Sequence, residues 1–315
     1  MGAPVLIGVA GGARDREVTS ALLRTVLDGR DPYGRVGIVG ARELFDGAEW
    51  LRRPDTSAEL LRIDEHVRNA RESGLAYLIL ELDEAAERGT QRLDLICTVG
   101  AGGAGTARTA ARGLSFSARG ALADVGASGA EAHYGYVQFH AHTPAWDAPL
   151  AVPLTGLFNL GPALGAVSSA VLLGLDAAQI APGLLHAKVS GHGELLFSPD
   201  HRVFCLVEES RARRDAERLV AAAREDYAVL RLEVVRGADA VAAAVARAYA
   251  REARERTLLV LLDGSSDALE DAFQAAVRAQ ALPSSAERDA EPARRKKAGA
   301  RMDPGQMRES PSRMA

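Results

Sequence analysis

Short apolar runs rich in branched residues alternate along this chain with stretches whose apolar positions recur every three or four residues. Val5-Leu6-Ile7-Gly8-Val9-Ala10 is the first such run and predicts a buried strand. Gly11-Gly12 follows, then a helix over about 17–28 with Val18, Leu22 and Val26 on one face and Gly29 as its C-terminal cap. A second strand is predicted over 35–40. A helix over 57–73 turns Leu60, Leu61, Val67 and Ala70 inward and stops at Gly74. Strands over 75–82 and 93–98 come next. Residues 134–142 alternate so that His140 and His142 point to one face. Pro153 opens a loop into a long uncharged helix. In it Ala163, Ala166, Val167, Ala170, Val171 and Gly174 put small side chains on a face that can lie close to a sheet or a second helix. A helix over 176–185 follows. Strands over 202–208, 228–235 and 257–263 then alternate with helices over 213–224 and 238–251, a βαβαβ pattern closed by a helix over 266–280.

The pattern predicts an α/β protein. Residues 1–190 form a central domain of P-loop type with a mostly parallel sheet, residues 191–282 a small Rossmann-like α/β domain, and residues 283–315 a disordered tail. The tail loses large apolar residues other than methionine and carries Arg294-Arg295-Lys296-Lys297, either a solubilising tetrad or a contact for an acidic partner.

Composition narrows the function. The 315 residues are 47% hydrophobic, enough for a sizeable core, and the net charge of −4 argues against nucleic acid as a partner. Cys97 and Cys205 lie far apart in apolar runs and read as core thiols of a reducing compartment. There is no leader pattern and no apolar run long enough to span a bilayer, so a cytoplasmic protein without a membrane partner is expected. Lysine is confined to Lys188, Lys296 and Lys297.

The candidate chemistry begins at the first glycine pair. Strand, glycine loop and helix form the framework of a phosphate-binding loop, where free N–H groups at a helix N-terminus hold an anion. The same framework is also an ordinary strand–turn–helix. A second glycine-rich stretch, residues 99–106, lacks a fixed phosphate pattern and reads as a relaxed loop. Glu81, Asp83 and Glu84 at a strand end form either a cation site or a solvated strand exit. His140 and His142 are spaced as half of a metal site can be, but no other ligand cluster accompanies them in the sequence, which favours an ordinary strand face.

Pro153-Leu154-Thr155-Gly156-Leu157-Phe158-Asn159, with Ala163 and Leu164 after it, resembles the Pro-Leu-Pro-Gly-Arg-Phe-Asn-x-x-Asn-Ala-Leu-Ala signature of the Mur ligases. These ATP-dependent ligases join amino acids to UDP-muramyl peptides and have polyglutamate-forming relatives. Pro153, Leu154, Gly156, Phe158, Asn159, Ala163 and Leu164 match, while Thr155, Leu157 and Pro162 depart. The resemblance spans about residues 4–265 and finds no counterpart for the family's N-terminal UDP-binding domain.

Elsewhere the family pattern is broken. The family's Gly-Thr-x-Gly-Lys-Thr-Thr, aligned on Gly11, reads Gly11-Gly12-Ala13-Arg14-Asp15-Arg16-Glu17. Asp15 replaces the phosphate-binding lysine and Arg16 the magnesium-binding hydroxyl. A single unit-charge pair at about 4 Å is worth roughly 4 kcal/mol at an effective dielectric of ~20, so exchanging attraction for repulsion costs more than ~10³ in affinity, which Arg14 and Arg16 offset in part. Arg52-Arg53 stands for Thr-Thr before the second helix, Ala85 for a histidine, and the glycine stretch for an asparagine- and histidine-bearing loop. His192 stands for an arginine, and Glu208-Glu209 falls where aspartate begins a functional run.

The resemblance therefore implies a vestigial nucleotide site at Gly11, Gly12, Arg14, Arg16 and Asn159, with Glu81 as the one retained magnesium candidate and no catalytic residue. It implies a degenerate homologue that needs no cofactor and binds another protein. That partner is an active Mur-type ligase, another enzyme of its pathway, or a second copy of this chain. The alternatives are an ATP- and Mg2+-dependent acid–amino-acid ligase with a non-standard ATP site, and a nucleotide or UDP-sugar-peptide binder without turnover. Asn159 is expected to cap the helix that follows it, and Phe158 to plug the gap between the two domains.

Overall fold

The computed structural model describes residues 2–30, 35–82, 93–100, 102–120, 122–210, 212–252 and 254–281. The tail, with its basic tetrad, and the acidic pair Asp83 and Glu84 lie outside these residues, as do Ala85 and Arg211. In chain order, β1 (Val5–Gly11) leads into α1 (Ala13–Arg30), followed by β2 (Val36–Val39), β3 (Glu43–Phe45) and β4 (Trp50–Arg52). Two helices, α2 (Thr56–Leu60) and α3 (Ile63–Glu72), precede β5 (Tyr77–Leu82) and β6 (Leu95–Val99). Five strands come next: β7 (Ala104–Thr109), β8 (Gly113–Ser117), β9 (Val125–His133), β10 (Tyr136–His142) and β11 (Asp147–Val152). They lead to α4 (Leu160–Leu172) and α5 (Ala177–Leu185). The C-terminal unit contains β12 (His192–Phe197), β13 (Val203–Glu208), α6 (Arg213–Asp226) and β14 (Arg231–Arg236). It ends with α7 (Val241–Tyr249), β15 (Thr257–Leu262) and α8 (Ser266–Ala281).

Eleven strands form one sheet, in the order β11-β10-β9-β8-β7-β6-β1-β5-β2-β3-β4, and the other four form a second, β12-β13-β15-β14. The heart of the large sheet, β2-β5-β1-β6, is parallel, and strands paired antiparallel, apart from the parallel β8–β9 pair, extend it on both sides. In the small sheet β13, β15 and β14 run parallel and β12 antiparallel. The parallel strands read as unbroken apolar runs because helices cover both faces. Ile7, Val9, Ile79, Cys97 and α1, α4 and α5 share one core, while Ala10, Val39, Leu78, Leu80 and α3 share another on the opposite face. Helix α4 is buried from Leu160 to Val171, and its small residues let it lie against the sheet. A Cβ on Gly165 would stand 3.3 Å from Cys97, Val99 and Phe116.

Three sequence expectations change. Helix α1 runs through Gly29 to Arg30, so Gly29 is not its cap. The helix over 57–73 is two helices, broken where the Arg62 guanidinium bonds Glu49, Glu59 and Glu65, and Leu61 at the break is 88% exposed, not inward. In the glycine stretch over 99–106, Val99 ends β6 and residues 104–106 open its antiparallel partner β7, so those positions are strand and not loop, and at Gly105 a Cβ would lie 2.1 Å from the Thr98 carbonyl oxygen. No helix among the described residues is long and apolar enough to cross a membrane.

Candidate functional site

Strand β1 ends at Gly11 and α1 begins at Ala13, so one residue joins them. Gly11 makes the bend with φ of 134°, where a Cβ would lie 2.3 Å from the Val99 carbonyl oxygen. The helix N-terminus opens on a cleft of about 520 Å3 between the two domains. Gly12, Ala13, Arg14 and Asp15 line it from the first domain, and His192, Glu209, Arg214 and Arg218 from the second. Burial raises the Asp15 carboxyl above its ordinary range despite the nearby Arg14 and Arg218.

Arg14 lines this cleft, but its guanidinium is committed to the protein. Its side chain is buried, and each guanidinium nitrogen is engaged. Nε donates to Glu208 at 3.1 Å, Nη1 to the Asn159 side-chain oxygen at 3.0 Å and Nη2 to the His192 carbonyl at 3.1 Å. The network continues outward from Glu208. His192 sits with Nδ1 3.1 Å from Glu208 and Nε2 2.9 Å from Glu17. Arg42 reaches Glu17 at 3.2 Å, Glu209 at 3.0 Å and the Ser266 hydroxyl at 2.9 Å. Arg53 grips both oxygens of Glu209 and also reaches Asp267, which Arg52 holds at 2.8 Å.

Burial alone would raise all three glutamates. Instead the His192 hydrogen bonds hold Glu17 and Glu208 below the usual carboxylate range, with Arg42 and Arg14 charges adding to them. Arg53 and the Ser266 amide pull Glu209 down to about 2. Burial would lower His192, yet its two carboxylate partners raise it. These charges bridge α1 and the β2–β4 segment to β12, β13 and α8, so they lock the second domain onto the first.

Asn159 and Phe158 close the inner end. Asn159 makes no capping bond to α4, contrary to expectation. Its amide donates to the carbonyls of Thr155 and Gly156 while its oxygen accepts from Arg14, so the motif loop uses it as an internal brace. Phe158 is half-buried at the domain junction, its ring between Arg14 at 4.6 Å and Arg218 at 4.7 Å. Phe158→Ala is expected to cost about 2–3 kcal/mol in urea unfolding. Two cation–π contacts contribute ~0.5–2 each, and a half-buried ring loses less than the 3–5 of a full truncation. A cost below about 0.5 kcal/mol would remove the ring from the interdomain lock.

The other candidates are spent elsewhere. Arg16 donates to the Leu82 carbonyl at 2.9 Å, tying α1 to the end of β5, and its buried Nε has no partner among the described residues. Glu81 is buried and accepts from the Ala41 amide at 2.9 Å, and burial pushes its carboxyl up to about 7. That bond ties the end of β5 to the turn between β2 and β3. Asp46, Glu49 and His66 do cluster, but both ring nitrogens of His66 are occupied, at 2.8 Å by Asp46 and 3.1 Å by Glu59. That cluster fastens the β3–β4 hairpin to α3.

No protein-family model and no curated protein matches the sequence. Solved structures do match the fold. A UDP-N-acetylmuramoyl-L-alanyl-D-glutamate–2,6-diaminopimelate ligase superposes with a TM-score of 0.63 at 10% identity, covering 90% of this chain and 80% of that one. Folylpolyglutamate synthetase from Lactobacillus casei gives 0.57 at 12%, covering 86% and 90%. MurF from Acinetobacter baumannii gives 0.56 at 13%, covering 87% and 77%. This chain has a Mur-ligase-like fold. Within that fold, the interdomain lock is built largely from the positions where the sequence departs from the Mur pattern. Arg14 stands at the second glycine of the loop motif, and Arg52, Arg53, His192, Glu208 and Glu209 are departures as well. The sequence showed each departure singly; that they bond to one another appears only in three dimensions. The acidic pair 208–209, the basic pair 52–53 and Glu17 at a threonine of the loop motif were the readable signal, while Arg42 had none.

Proposed function

We propose that this Mur-ligase-like chain is a non-catalytic protein, a pseudoenzyme, that binds and supports an active ligase or another biosynthetic enzyme. One observation carries this reading: Arg14 lines the cleft, yet its guanidinium is buried and bonded on three sides, to Glu208, Asn159 and His192. A triphosphate seated there must displace Arg14 from a buried carboxylate, and breaking such a pair costs about 3–5 kcal/mol. A connection of a single residue between β1 and α1 also leaves little backbone to wrap a phosphate. No cofactor is required.

A second reading is an ATP- and Mg2+-dependent acid–amino-acid ligase. It draws on the remaining cleft, where Arg214 and Arg218 face the N-terminus of α1. The two readings separate in one assay. The full chain is given ATP, Mg2+, a UDP-muramyl peptide or polyglutamyl acceptor, and mixed amino acids, and ADP is measured. The expected result is no acceptor-dependent ADP. Many turnovers per molecule would establish the ligase instead.

A further inference from the structure

The eleven-stranded sheet ends on two strands that meet solvent differently. At one edge β11 reads Asp-Ala-Pro-Leu-Ala-Val, and Pro149 removes an N–H from the row that an added strand would need. At the other edge β4 reads Trp50-Leu51-Arg52, without proline, and all three residues are exposed. No strand pairs with its outer side among the described residues. Trp50 is 59% and Leu51 42% exposed, so the open edge carries large apolar side chains. The Trp50 ring is already fixed, its Nε1 donating to Glu43 at 2.9 Å. Leu61 adds apolar surface beside it, since the adjacent Arg62 bonds Glu49 at the start of β4.

The backbone of β4 dictates how an added strand must pair. The Asp46 N–H donates to the Glu49 carbonyl at 3.3 Å and the Arg53 N–H to the Arg42 carbonyl at 2.8 Å, with Leu51 opposite Leu44 midway between them. Bonded pairs in an antiparallel ladder recur at every second residue. Leu51 therefore spends its N–H and C=O on β3, while Trp50 and Arg52 turn theirs outward. A second copy of β4, laid antiparallel with Leu51 facing Leu51, uses every outward group. Trp50 exchanges two backbone bonds with Arg52 of the second copy, and Arg52 two with its Trp50. The same register sets each indole beside a guanidinium and closes the two Leu51 side chains on each other at a non-bonded pair, where side chains approach most closely. Arg52 keeps its bond to Asp267, so its charge stays paired at the seam. A strand complementary to itself across a two-fold axis is an isologous surface.

We propose that this chain forms a two-fold dimer through β4, pairing Trp50-Leu51-Arg52 antiparallel with the same residues of a second copy and joining the two large sheets into one. The dimer does not depend on the pseudoenzyme reading, because none of these pairings uses the cleft.

The test is sedimentation velocity of the untagged full chain from about 1 to 200 µM. A reversible monomer–dimer equilibrium is expected with a Kd of about 1–100 µM, since a seam of three residues per strand suits weak association. Leu51→Lys and Leu51→Glu each set like charges face to face at the two-fold axis and should weaken the dimer at least ~10-fold. An equal mixture of the two variants should dimerise again, because opposite charges then face each other. Trp50→Ala should weaken the dimer several-fold. These side chains are exposed, so the variants should melt as the dilute parent does. A parent that stays monomeric at the top of the concentration range would overturn the proposal, as would a dimer that both Leu51 variants leave intact. Variants that break the dimer singly but fail to re-form it when mixed would overturn the two-fold pairing at Leu51.

Discussion

Arg14→Ala is expected to lower folding stability by about 3–5 kcal/mol, the range for removing one partner of a buried ion pair. The side chain is 3% exposed and the facing Glu208 side chain 0%. Removal leaves the Glu208 carboxylate with His192 as its remaining charged neighbour, and leaves the Asn159 oxygen and the His192 carbonyl without their guanidinium donors. Arg14→Lys should rescue little, because an ammonium is a point charge that cannot reproduce the three-way fork. Glu208→Gln retains the shape and should cost less than Arg14→Ala. The Arg14→Ala/Glu208→Ala double variant should be less destabilised than the sum of the singles, since each removes the other's reason for being charged. Urea unfolding gives all of these. An Arg14→Ala variant within about 1 kcal/mol of the parent would mean that the lock does not hold the domains together.

Glu81→Gln is expected to stabilise the protein by up to about 3 kcal/mol at pH 8 and to change little at pH 5. Burial raises the folded carboxyl to about 7 from an ordinary 4.5. A raised acid favours the folded state while protonated. That contribution is complete below 4.5 and is lost as pH climbs through 7, because the unfolded chain ionises first. At 1.36 kcal/mol per pH unit the loss comes to about 3 kcal/mol, and glutamine, which cannot ionise, avoids it. His192 works in the same direction. Its raised value makes its contribution complete below 6.5 and lost as pH rises through the folded value. Glu17 and Glu208 are lowered, so their contribution is present above 4.5 and lost in acid. Stability should therefore peak between about 4.5 and 6.5, and the alkaline side should flatten in Glu81→Gln. A parent protein most stable at pH 8 would contradict the burial of an ionisable Glu81.

The parallel core was legible because its strands are unbroken runs of branched and aliphatic residues, as in Val5–Gly11 and Thr257–Leu262. The alternation of β10 was legible for the same reason. The antiparallel wing was not. Strand β9 is Val-Gly-Ala-Ser-Gly-Ala-Glu-Ala-His and β7 is Ala-Gly-Thr-Ala-Arg-Thr, where glycine and alanine carry almost no strand preference and partner strands decide the structure. The helix break at Leu61-Arg62 was hidden because an ion-pair cluster causes it, not a Gly or Pro.

At the site, the sequence named the phosphate loop and Asn159 through a resemblance, but not what fills the loop. Asn159 was assigned to a helix cap, a local role, whereas it bonds Arg14 across 145 positions. Local reasoning favours local partners, and a long-range network of complementary charges leaves no periodic trace.

The proposed reading holds that Arg14, committed to Glu208, Asn159 and His192, is not available to a nucleotide phosphate. Titration calorimetry of Mg2+–ATP into the full chain tests it most directly. The expected result is no saturable heat up to millimolar ATP, with a melting temperature unmoved within about one degree. A micromolar site would instead add about 4 kcal/mol at millimolar ATP and raise the melting temperature by several degrees. That outcome would contradict the account.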